Sequence, residues 1–140
     1  MSALGSLIRL HRWQVDERRR HLADLEGLAR QLTEESRRLD REEAKEQAAA
    51  AASPEAAITY AAYARQLVER RRKLAQSQAE LVEQIERSRA LLAEAFQEVK
   101  RYEIMEANRL RQQQRREERR QQQALDNIGI ETFRRRGGKD

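Results

Sequence analysis

The stretch Ala48-Ala49-Ala50-Ala51-Ala52-Ser53-Pro54-Glu55 decides the fold, because it holds the only proline of 140 residues and divides two long segments of heptad-like apolar spacing. Proline cannot donate an intrahelical hydrogen bond, yet it fits the first turn of a new helix, and a serine directly before it can cap the exposed N–H groups there. A helix start is therefore expected at Ser53. The alanine run upstream is strongly helix-forming, so the break reads as a sharp reversal after one helix rather than as a loose linker.

Working outward, the first arm is expected to be one helix over about residues 3–52. With Leu4, His11, Arg18, Leu25, Leu32 and Leu39 as d and Ile8, Val15, Leu22, Ala29 and Ser36 as a, eight of eleven seam positions are apolar. The second arm starts at Pro54 and repeats the pattern. Tyr60, Leu67, Leu74, Leu81, Ser88, Ala95 and Tyr102 occupy d, and Ala64, Arg71, Gln78, Ile85, Leu92 and Val99 occupy a, so ten of thirteen are apolar. Such a spacing is a coiled-coil seam. Reversal at Ser53 brings Leu39 near Leu67, Leu32 near Leu74, Leu25 near Leu81, Val15 near Leu92 and Ile8 near Val99, to within half a heptad. Short connections favour antiparallel neighbours, and the expected fold class is all-α, a single domain over 1–140. It is an antiparallel coiled-coil hairpin with a longer second helix over about 54–126 and a flexible tail over 127–140. An elongated rod with both termini at one end follows.

Composition agrees. Charged residues make up 38% and aromatics 4% of the chain, and a mean hydropathy of -1.01 leaves too little apolar surface for a multilayer core. Disorder, the competing reading of such polarity, would not hold leucines in a seven-residue register. The chain has no cysteine, which removes disulfides and thiolate metal sites. Residues 1–10 lack a signal-peptide pattern and no stretch reaches membrane-spanning length, so a soluble cytoplasmic protein is expected.

The arms are unequal. Past about Glu106 the second arm has no partner left, and residues 109–140 hold ten Arg or Lys against five Asp or Glu, which is the whole net charge of +5. The overhang begins with an Arg/Gln/Glu run over 108–123 and becomes apolar again in Leu125-Asp126-Asn127-Ile128-Gly129-Ile130-Glu131-Thr132-Phe133, ahead of Arg134-Arg135-Arg136. A helix that outruns its partner and then turns apolar suggests docking to another molecule, the alternative being that it folds back on the paired arms. Leu10 and Trp13 fall at outward c and f positions, three apart, and Ile104 also falls at f. Trp13, the only tryptophan, is either a contact anchor or an ordinary exposed apolar residue.

Chemistry is hardly represented. His11 and His21 lie ten apart, without ligand spacing, and His11 reads more simply as a polar seam residue. No phosphate-binding glycine loop and no nucleophile elbow occurs, and two paired helices offer no concavity to perturb a carboxylate. No catalytic residue, cofactor, metal or small-molecule substrate is expected.

The short apolar start Leu4-Gly5-Ser6-Leu7-Ile8-Arg9-Leu10, the paired arms and the Leu125-Asp126 tail after an Arg/Gln/Glu helix make the chain resemble the FliJ family of the bacterial flagellar type III export apparatus, over nearly its whole length. The resemblance implies a soluble antiparallel coiled coil, similar to the stalk of rotary ATPases. It further implies engagement and stimulation of the hexameric export ATPase, contact with the cytoplasmic part of the export gate, escort of export chaperones, and a cytoplasmic location at the inner membrane, held through partners. Joined to the residues, it assigns ATPase binding to Leu10, Trp13, Arg109, Arg115, Arg116, Arg119, Arg120, Leu125, Ile128 and Phe133. Gate contact falls to Ile58, Tyr60 and Tyr63 beside the turn, where tip packing is the competing role. A basic coiled coil that binds nucleic acid is the rival, weakened by Glu117-Glu118 and by the lack of any aromatic over 109–123. A filament-like structural coiled coil is disfavoured by a hairpin that closes the seam on itself.

Overall fold

A computed structural model describes residues 2–137. They form two α-helices, α1 (Ala3–Ala50) and α2 (Pro54–Gly137), of 48 and 84 residues, in an antiparallel coiled-coil hairpin whose second helix is the longer. Each helix starts on a serine. The Ser2 hydroxyl accepts a hydrogen bond from the Gly5 N–H at 3.0 Å, and the Ser53 hydroxyl accepts one from the Ala56 N–H at 3.1 Å. Both use the side-chain oxygen to satisfy one of the four N–H groups a helix start leaves open. The reversal at Pro54 thus has the expected cause, while α1 stops at Ala50 instead of Ala52 because the Ala52 N–H turns back to the Ala49 carbonyl at 3.1 Å.

The chain divides into two compact units, one of Trp13–Phe96 and the other of Met1–Arg12 with Gln97–Asp140. In the first unit, which contains the turn, the seam is as the heptads predict. Val15, Leu25 and Leu39 of α1 and Leu67 and Leu81 of α2 are buried, Leu39 most completely at 2% exposure. Burying one such side chain is worth roughly 1.5–3 kcal/mol, so these few leucines and valines dominate the stability of the pair. Ala64, Arg71, Leu74, Gln78, Ile85, Leu92 and Ala95 are half-buried between them. Arg18, expected at a d position, is instead exposed; its long charged side chain keeps its head in water.

The polar seam residues differ in how they are satisfied. Arg71 stands at an a position and reaches both Asp40 at 2.8 Å and Glu43 at 2.6 Å, with Arg70 to Glu42 at 3.8 Å beside it. Ser88 is buried at 2% exposure, and its hydroxyl has no hydrogen-bond partner. Near the turn the Gln47 amide donates to the Tyr60 hydroxyl at 3.1 Å. Further along, the Arg19 guanidinium lies 4.8 Å from the Phe96 ring centre, a cation–π contact.

These partners revise the expected pairing. Arg71 meets Asp40 and Glu43, whereas pairing Leu39 with Leu67 would place Asp40 and Glu43 opposite positions roughly one to two turns earlier in α2. Side chains on a helix lean toward its own N-terminus, so in an antiparallel pair the tips meet later along the chain than the Cα levels suggest.

In the second unit, Ile8 and Val99 are buried, the His11 and Tyr102 rings stack at 4.7 Å with 21° between planes, and Arg12 pairs with Glu103 at 3.1 Å. Beyond Ala107 every residue over 108–137 is exposed. No residue of the overhang is buried, and its helix does not end at Asp126. Residues 127–137, expected as a flexible tail, are helical; the rest of that tail, 138–140, lies outside the described residues. Local terms extend the helix across Gly129, whose cost is about 1 kcal/mol relative to Ala. The Gln122 amide donates to Asp126 at 3.1 Å, Arg135 lies 3.8 Å from Glu131, and Arg134, Arg135 and Arg136 occupy the last turn, where cations complement the helix dipole.

Candidate functional site

The overhang is the surface least accounted for by packing. Leu125, Ile128, Ile130 and Phe133 are 63%, 61%, 57% and 79% exposed, and they stand within nine residues of one another on a stretch where nothing is buried. Every residue over 108–137 is exposed, whereas His11 and Arg12 of α1 meet Tyr102 and Glu103, ahead of this stretch. The helix itself positions these groups. Leu125 and Ile128 stand three apart, as do Ile130 and Phe133, and residues three apart are neighbours on a helix surface.

The arginines of the site fall into two groups. Arg109 donates two hydrogen bonds to Glu106, at 2.9 and 3.1 Å, and this bond holds the Glu106 carboxyl below its ordinary value while it raises the Arg109 guanidinium. Arg120 lies 3.8 Å from Glu117. Among the described residues, Arg115, Arg116 and Arg119 form no ion pair. Arg111 joins them, equally exposed and unpaired among the described residues. Arg111, Arg115 and Arg119 are spaced by four and therefore form one stripe. Sequence reading left Arg111 out of the site, although that spacing is visible in the sequence.

The remaining expected contacts are separate. Leu10 is 48% exposed in the same unit as the overhang, with Ile104 and Met105 also exposed there. Trp13 is 58% exposed and belongs to the unit that holds the turn. Of the three tip residues, only Ile58 is open, at 75%. Tyr60 and Tyr63 are half-buried, with ring centres 6.2 Å apart. The Tyr63 hydroxyl is buried without a partner, and burial, then the nearby Glu42 carboxylate, raise its ionisation above the ordinary tyrosine value. These two rings pack the base of the turn more than they present a surface.

The depression lined by Leu110, Gln113, Gln114, Arg116, Glu117 and Arg120 runs along one exposed helix. Among the described residues no group of His, Cys, Asp or Glu could hold a metal ion, and no helix is long and apolar enough to cross a membrane. What the geometry offers is an exposed, basic, partly apolar helical surface.

No curated protein and no solved structure matches the chain. The family described as "Flagellar FliJ protein" matches residues 1–138. That match covers the seam, the reversal at Pro54 and the exposed end of α2 alike, so the chain belongs to the flagellar FliJ protein family, a component of the flagellar protein export apparatus.

Proposed function

We propose that the chain is a non-enzymatic, stalk-like coiled coil that engages and stimulates the hexameric export ATPase through the exposed end of α2. The observation that carries this reading is the run of exposed helix over 108–137, already ordered and without an intrachain partner. A preformed helix loses little conformational freedom on docking. Arg115, Arg116, Arg119 and Arg120 would supply charge complementary to an acidic or carbonyl-lined opening, Arg109 would flank them, and Leu125, Ile128 and Phe133 would supply burial. Leu10 and Trp13 serve the same partner as additional apolar contacts. Ile58, with Tyr60 and Tyr63 behind it, contacts the cytoplasmic part of the export gate, and the chain escorts export chaperones. It acts in the cytoplasm, held at the inner membrane through these partners.

Deletion of residues 108–140 tests the assignment. The shortened chain should keep its helical signal per residue and its unfolding temperature but lose stimulation of the ATPase. In the full chain, Gln at Arg115, Arg116, Arg119 and Arg120 should remove the salt-sensitive part of binding, since exposed contacts are screened within about 10 Å at 0.1 M salt. Phe133→Ala should remove part of the salt-insensitive remainder. If the deletion leaves stimulation intact and abolishes retention on DNA or RNA, the basic helix is a nucleic-acid contact and the ATPase assignment fails.

A further inference from the structure

We propose that the end of α2, residues 125–136, is an amphipathic element that binds an anionic lipid surface directly. Four observations carry it. First, the segment is already helical and every residue in it is exposed, so partitioning requires no folding step. Second, its large apolar side chains are spread widely. At 3.6 residues per turn, Leu125, Ile128, Ile130 and Phe133 cover an arc of about 200°. One packed helix needs a stripe nearer 100°, and an arc of twice that width is better covered by a fluid interface that surrounds the helix than by one groove.

Third, the apolar side chains are followed at once by Arg134, Arg135 and Arg136, of which only Arg135 is paired among the described residues, to Glu131 at 3.8 Å. Interfacial helices combine an apolar face with such cations, which anionic headgroups attract. Fourth, the stripe Arg111, Arg115 and Arg119 projects into the angular range of the apolar arc, so a helix tilted with its far end deeper would set those guanidinium groups at headgroup level while Phe133 enters below it. Two acidic groups oppose this arrangement. Glu118 lies at the edge of the stripe, and Asp126, which accepts from Gln122, lies inside the arc. The helix is too polar to cross the bilayer and would rest on it. This inference does not rest on the ATPase assignment, although both use the same side chains and would compete.

The test is sedimentation of the full chain with vesicles of equal parts phosphatidylglycerol and phosphatidylcholine, against vesicles of phosphatidylcholine alone. Binding should favour the anionic vesicles by at least about tenfold and weaken with salt. The variant Ile128→Ser with Phe133→Ser should lose about tenfold or more, and Asp126→Asn should bind more tightly than the parent chain. In a chain carrying Trp13→Phe and Phe133→Trp, tryptophan emission should shift to shorter wavelength on the anionic vesicles, which a contact confined to headgroup charge would not produce. Equal binding to both vesicle types, or none to either, overturns the proposal. So does anionic binding that survives loss of Ile128 and Phe133 and is matched by a DNA duplex, which would mark a general polyanion contact. ATPase stimulation measured without vesicles stays informative in every case, so failure here leaves the ATPase assignment to its own test.

Discussion

Leu81 and Leu125 belong to the same helix and have the same side chain, yet one is 7% and the other 63% exposed. The difference lies in what stands opposite. As far as Glu106, α2 places a residue against α1 at every third or fourth position, and each of these is at least half-buried; beyond Ala107 none is. Helix formation continues through both regions because it is a local matter of propensity, i,i+4 pairs and end charges. Burial requires a second segment. The comparison teaches that apolar residues in α2 carry stability in one region and are available for recognition in the other, with no change in secondary structure between them.

The largest expected effect separates the two regions. Leu39→Asp places an unpaired charge at the most buried side chain and should cost several kcal/mol, enough to abolish a single cooperative thermal transition. Phe133→Asp should change the unfolding free energy by no more than about 0.5 kcal/mol, as for other surface positions. Equal destabilisation by the two, measured by denaturant titration, would erase the distinction.

A smaller effect concerns what aligns the helices within the paired region. Arg71 is the charged seam residue held by two carboxylates across the pair, and polar groups at a positions specify register at some cost in stability. Its side chain is about one-third exposed, so Arg71→Ala should cost only about 1 kcal/mol after solvent screening. A double-mutant cycle with Glu43→Ala measures the coupling directly, and zero coupling would mean that the leucines alone set the alignment. Ser88 works the other way. Its buried hydroxyl has no partner, and removing such a group lifts its desolvation penalty. Ser88→Ala should therefore be neutral or stabilising by up to about 1 kcal/mol, whereas a clear loss would show that the hydroxyl is satisfied in solution.

The smallest effect is acid dependence at the boundary between the regions. The Glu106 carboxyl is held below its ordinary value of 4.5 by its bond to Arg109. Its contribution is therefore complete above 4.5 and is lost as the pH falls through the lowered value. Glu106→Gln should remove that portion of the acid sensitivity of helicity near Arg109, read by carbon-13 shifts on titration, and leave behaviour at neutral pH almost unchanged. A carboxyl that titrates at or above 4.5 would show that the bond does not persist.

The turn and both helices were legible in the sequence because their causes are local: one proline, a capping serine before it, and a seven-residue apolar repeat that only a helix can put on one face. The exposed overhang was legible too, since the unequal lengths on either side of Pro54 leave part of α2 without a counterpart. Other features needed the tertiary structure. Arg18 occupies a d position by periodicity yet lies in water, because a long cation can leave a seam that a leucine cannot. The cross-helix partners of Arg71 depend on how side chains lean in an antiparallel pair. The half-burial of Tyr60 and Tyr63 depends on the end of α1 beside them, where Gln47 donates to the Tyr60 hydroxyl. The persistence of the helix to Gly137 was the sum of several small terms against one glycine, too close a balance for residue types alone to decide. Sequence by itself determined which residues could form helices and which faces were apolar; the tertiary structure decided which faces found a partner, because burial is a property of two surfaces and periodicity describes only one.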